Sequence, residues 1–80
     1  MTNTTAITDL RDETRAAIYD LTKRIEQVLA QLQNHALDLM TEHDARGVAA
    51  EATELATLFT AREQQLNLLA ALTNAIAESN

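Results

Sequence analysis

The stretch Val48 to Ile76, VAAEATELATLFTAREQQLNLLAALTNAI, leaves this chain few ways to fold. Its apolar residues Val48, Ala52, Leu55, Phe59, Leu66, Leu69 and Ile76 step by fours and threes, with Arg62 interrupting the row. That spacing is the stripe of an amphipathic helix packed on another helix. Leu58, Leu68 and Leu72 lie beyond the stripe and widen it to roughly 180°, where a surface helix needs about 100°. One neighbouring helix does not cover so wide a face. A second protein is expected to cover the remainder.

The neighbouring helix is found upstream. From Ile7 the apolar row runs through Leu10, Thr14, Ala17, Leu21, Ile25, Val28, Leu32, Ala36 and Leu39, with Ile18 and Leu29 broadening it. Its steps average close to the natural helical period of about 3.6, which predicts weak supercoiling. Helix 1 is predicted over about residues 7–40 and helix 2 over about 48–77. Thr5, Thr8 and Asp9 are candidate caps for the first helix. Residues 1–5 and 78–80 are expected to fray.

The turn is expected within residues 40–47. Gly47 is the only glycine and there is no proline, so nothing else breaks a helix strongly. Two registers compete. In one, helix 1 persists to Arg46 and Gly47 is its left-handed C-cap. In the other, helix 1 stops near Leu39 and Thr41 caps helix 2 through T-x-x-D with Asp44, which leaves Gly47 inside the helix at a cost of about 1 kcal/mol. A single unbroken helix is a third reading. The predicted fold is all-α, an antiparallel two-helix hairpin of coiled-coil type, forming one domain over residues 1–80.

Length and charge narrow the function. A chain of 80 residues buries only about 60% of its unfolded surface, and such scaffolds usually need a staple or a partner. Without cysteine there is no disulfide and no thiolate metal site. The net charge of −6 disfavours nucleic acid and anionic membrane as partners, because phosphate binders cluster Lys and Arg. The acidic residues are spread along the chain, a pattern of solubility rather than of a DNA mimic. No apolar run reaches the ~18–20 residues of a membrane span, and the N-terminus lacks the basic and apolar regions of a secretory signal. A cytoplasmic location is expected.

No catalytic constellation is visible. His35 and His43 are eight residues apart, too far to share one ion on a straight helix, and H-E-x-x-H is absent. No metal or cofactor is expected. Arg11, Arg15, Lys23 and Arg24 read as a solvated helix face. Arg62 reads either as a snorkelling side chain or as a contact to a partner's carboxylate.

Two family resemblances bear on function. LRDETRAAIYDLTKRI superficially resembles the first helix of the small all-helical chorismate mutases through Leu10, Arg11, Ile18, Asp20 and Leu21. Only Arg46 and Arg62 follow Arg24, however, so the later basic residues of such a site are missing. The broader resemblance is to the small E-type co-chaperones of type III secretion. It rests on the short length, the polar MT-rich start, TDLRDETR followed by an amphipathic helix through Gln31 and Leu32, a polar link, and a leucine-rich second helix with a polar tail. It implies a non-enzymatic cytoplasmic protein that stabilises a tetratricopeptide-like helical-repeat chaperone and helps hold a needle or translocator subunit unpolymerised. Helix 2 lacks aromatics that some relatives carry there.

On either footing, Leu58, Arg62, Leu68, Leu69, Leu72 and Ile76 are the expected partner-binding residues, in a helix-in-groove contact. Leu55, Phe59 and Leu66 are expected to pack on Leu21, Val28 and Leu32. The double variant Leu69→Glu, Leu72→Glu is then expected to stay helical and lose its partner. The competing non-enzymatic reading is a homodimeric four-helix bundle with a regulatory role.

Overall fold

The computed structural model describes residues 4–79 as two long helices and a short link. α1 is Thr4–Leu37 and α2 is Glu42–Ser79. The fold is an all-α hairpin with its two helices packed along their length. Arg24 on α1 bridges to Glu54 on α2, and His35 meets Glu51, so the helices run antiparallel. The expected fraying at residues 1–3 and Asn80 lies outside the described residues. Thr4, Thr5, Glu78 and Ser79 are helical, and the candidate caps Thr5, Thr8 and Asp9 lie within α1.

The link occupies residues 38–41, shorter and earlier than the expected 40–47. The physical reason is a reciprocal cap. The Asp44 backbone N–H donates to Thr41 Oγ1 at 3.1 Å, while the Thr41 N–H donates to Asp44 Oδ2 at 3.2 Å. Met40 N–H reaches the same carboxylate oxygen at 3.2 Å. Three backbone donors that a helix start leaves without partners, or the link leaves exposed, are thereby satisfied. Glu42 and Asp44 also set negative charge in the first turn, where the helix dipole favours it. α2 therefore starts at Glu42 rather than at Val48. Gly47 lies inside it and has no positive φ, so it is not a left-handed cap.

The seam between the helices is a strict alternation of threes and fours. On α1 the part-buried or buried row is Ile7, Arg11, Thr14, Ile18, Leu21, Ile25, Val28 and Leu32. On α2 it is Val48, Glu51, Leu55, Leu58, Arg62, Gln65, Leu69, Leu72 and Ile76. A 3.5-residue period is shorter than that of a straight helix, so keeping these rows in contact requires the helices to wind about each other. The extents of 62 × 14 × 13 Å fit that geometry, since two straight helices side by side would be much thinner in one direction. The winding is thus stronger than the sequence period suggested. Leu10, Ala36 and Leu39, expected in the α1 row, are exposed.

Ile25 and Val28 are the buried hydrophobic centre. Burying one such side chain contributes about 1.5–3 kcal/mol. Thr14 is buried beside them in the row and donates its hydroxyl to the Leu10 carbonyl at 2.7 Å, so it carries no unsatisfied donor. Thr53, Thr57, Thr60 and Thr73 bond in the same way to the carbonyl four residues earlier, which satisfies exposed hydroxyls without a tertiary partner.

Two outcomes follow from the cap and the interior glycine. A Cβ added at Gly47 meets nothing within 4 Å. Gly47→Ala is therefore expected to stabilise the chain by up to about 1 kcal/mol, read as a higher urea midpoint; a lower midpoint would contradict the open setting of Gly47. The Asp44 carboxyl is held below the usual carboxylate range, first by the Met40 N–H and then by the Thr41 hydroxyl. A depressed carboxyl contributes stability above its ordinary pKa of about 4, and that contribution is lost as pH falls through its folded pKa. Stability of the parent chain is expected to fall more steeply below pH about 4 than that of Asp44→Asn, measured by urea unfolding across acidic pH. Parallel profiles would show that the cap does not titrate with folding.

Candidate functional site

Side chains immediately beside the seam form the two long edges of the rod. Arg24 directly precedes the seam residue Ile25, and Glu54 directly precedes Leu55. Arg24 Nη2 and Nε donate to Glu54 Oε1 at 2.6 and 3.2 Å, so residues that precede the even-handed seam positions meet on one edge. Both partners are about half exposed, so this bridge stabilises by under about 1 kcal/mol and serves mainly to set register. In that register Leu10 lies level with Leu68. Both are exposed, at 42% and 40%. This is the first apolar edge.

The opposite edge carries residues that follow a seam position. Leu29 follows Val28, Phe59 follows Leu58 and Leu66 follows Gln65. All three are exposed, Phe59 at 43% and Leu66 at 45%. Phe59 and Leu66 belong to a second heptad row on α2: Ala49, Ala52, Ala56, Phe59, Glu63, Leu66, Ala70, Thr73 and Ala77, exposed throughout. Glu63 is the single charge in it. Arg62 stands in the seam and its guanidinium carbon lies 5.2 Å from the Phe59 ring centroid, a cation–π arrangement. Of the two readings of Arg62, the observed geometry is a stem along the seam with the head held over an aromatic face.

These positions revise the expected division of labour on α2. Leu58, Arg62, Leu69, Leu72 and Ile76, expected to meet a partner, are part-buried in the row facing α1. Leu68 alone of that set is exposed. Phe59 and Leu66, expected against helix 1, stand on the open edge, while Leu55 is in the seam. The reason is register: the three-four row that faces α1 runs through Glu51, Arg62 and Gln65, so Phe59 and Leu66 each fall one position outside it. Selecting apolar residues alone could not reveal a seam that includes polar ones.

The closed end of the rod has a different character. Leu37 and Met40 are almost fully exposed and Leu39 is exposed beside them. Next to them is a cleft of about 230 Å³ lined by His35, Asp38, His43, Asp44, Gly47 and Glu51. His35 Nδ1 bonds Glu51 Oε1, and the other oxygen, Oε2, is buried without a hydrogen-bond partner. Among the described residues no three His, Asp or Glu side chains are placed to hold a metal ion. The basic residues of α1 do not converge: Arg11 is in the seam bonded to Asp12, Arg24 is bridged to Glu54, and Lys23 lies 5.3 Å over the Tyr19 ring. No described helix is long and apolar enough to cross a membrane. The chain matches no protein-family model, no curated protein and no solved structure.

The seam assignment reverses the outcome expected of one double variant. Leu69→Glu with Leu72→Glu sets two carboxylates against α1, at roughly 1–3 kcal/mol each. Helical circular dichroism and the urea midpoint are expected to collapse, whereas Phe59→Glu with Leu66→Glu retains most of its helicity. The opposite order would contradict the seam.

Proposed function

We propose that the protein is a non-enzymatic, cytoplasmic protein-binding adaptor. Its closest functional model is the E-type co-chaperone of type III secretion that its sequence features resemble. In that role it stabilises a helical-repeat chaperone, and the pair holds a needle or translocator subunit unpolymerised. One observation carries the adaptor reading. Large apolar side chains remain exposed along both edges and at the tip, while among the described residues only Ile25 and Val28 are buried hydrophobics. Large apolar side chains left exposed in rows on a small chain support an interaction surface. An amphipathic rod suits a concave helical groove, where apolar edges supply the contact area.

The edge that contains Leu10 and Leu68 is assigned to this partner. Leu68 is the exposed survivor of the residues first singled out, and Leu10 stands level with it. The acidic excess of the chain favours a partner groove with a basic rim.

The test is reconstitution with a purified helical-repeat chaperone of a type III apparatus and its needle subunit. A 1:1 complex by size exclusion with light scattering is expected, together with slower needle polymerisation. Leu10→Asp with Leu68→Asp is expected to weaken the complex at least 10-fold, about 1.4 kcal/mol, while helicity is kept. Failure to form the complex, or a complex indifferent to that variant, overturns the assignment.

A further inference from the structure

We propose that the second edge, centred on Phe59 and Leu66, is occupied by a second copy of this chain, with α2 packed antiparallel on α2 about a two-fold axis beside Glu63. This goes beyond the adaptor reading and uses the edge opposite to Leu10 and Leu68. Three observations support the choice of occupant.

The first is the row itself. Its large apolar residues flank Glu63, Phe59 four residues before it and Leu66 three after, and small residues follow outward on both sides. A two-fold beside Glu63 brings Phe59 of one copy within one residue of the level of Leu66 of the other. The same operation brings Ala56 level with Ala70 and Ala52 within one residue of the level of Thr73. Large residues meet near the axis and small ones meet toward the ends. A two-fold interface must be self-complementary in this way, whereas an unrelated groove imposes no such symmetry on its ligand.

The second observation is charge. Glu63 is the one charged residue of the row, and Arg15 lies on the same edge of α1. The register set by the Arg24–Glu54 bridge puts Arg15 level with Glu63. Neither has an ion pair among the described residues. The proposed axis passes beside Glu63, so Arg15 of one copy comes level with Glu63 of the other. The arrangement supplies two symmetric ion pairs, which offset the approach of the two Glu63 carboxylates at the axis.

The third observation is area. The chain exposes 5787 Å², whereas a compact monomer of this mass exposes about 4,800 Å². The surplus is roughly 1,000 Å², close to the ~800 Å² that each partner contributes to a stable interface. One copy docked along α2 removes a surplus of that size and completes a four-helix arrangement.

The chain has no cysteine, so single-cysteine variants report cleanly on the axis. Sedimentation equilibrium and a short bismaleimide crosslinker are applied to the full chain. The parent is expected to be a dimer, and Glu63→Cys is expected to crosslink to itself in high yield. Asn67→Cys, on the outer face of the same helix, is expected to stay uncrosslinked. Ala56→Arg with Ala70→Arg is expected to raise the dimer dissociation constant at least 10-fold with unchanged helicity, since both positions are exposed in the single chain. Arg15→Glu is expected to weaken the dimer, and Arg15→Glu with Glu63→Arg to restore it. A monomer at all concentrations, or a dimer in which Asn67→Cys crosslinks better than Glu63→Cys, overturns the proposal. The Leu10, Leu68 double variant is expected to keep the dimer, so loss of the helical-repeat complex and loss of the dimer are read independently.

Discussion

Everything in this molecule depends on a single seam between two helices. Helices of 34 and 38 residues gain little from intrinsic propensity alone, and their stability comes from packing an amphipathic face. Here that face has one partner. The seam buries Thr14, Ile25 and Val28 and shields its other residues only in part. Register along the seam is fixed by the Arg24–Glu54 bridge at mid-length and by the Thr41–Asp44 cap at the closed end. The seam row decides which residues become edge and which become core, and those two devices support its register.

From this follows the functional character. A hairpin has no third layer, so any large apolar residue outside the seam stands in water. Leu10 and Leu68 occupy one edge and Leu29, Phe59 and Leu66 the other. The seam itself holds Arg11, Glu51, Arg62 and Gln65 at positions where aliphatic residues would stabilise the pair more. The chain thus holds polar residues in its seam and leaves leucines on its edges. The proposed adaptor role and the proposed two-fold contact both express that arrangement, on opposite edges.

Much of the fold was legible in the sequence. The absence of proline, the long apolar rows and the T-x-x-D box at Thr41 and Asp44 all point to two helices with a short polar link. Gly47 was the misleading residue: it is the obvious breaker, yet its cost of about 1 kcal/mol as an interior glycine is smaller than what the reciprocal cap and a continuous helix provide. The edge assignments were harder to read. Phe59 and Leu66 fit an apolar stripe as well as Leu58 and Leu69 do, and only the facing helix separates the two sets. Glu51 and Gln65 carried no apolar signal, although they hold seam positions. The second row on α2 was obscured in the same way, because alanines count weakly in any hydrophobic pattern.

The most direct test of the central claim, that this hairpin reaches full stability only when a second chain covers its edges, is thermal unfolding followed by circular dichroism over a hundredfold range of chain concentration. Association linked to folding makes the melting temperature rise with concentration. The account predicts such a rise. A cooperative melt at high temperature that is independent of concentration would show that the seam alone suffices, and would contradict it.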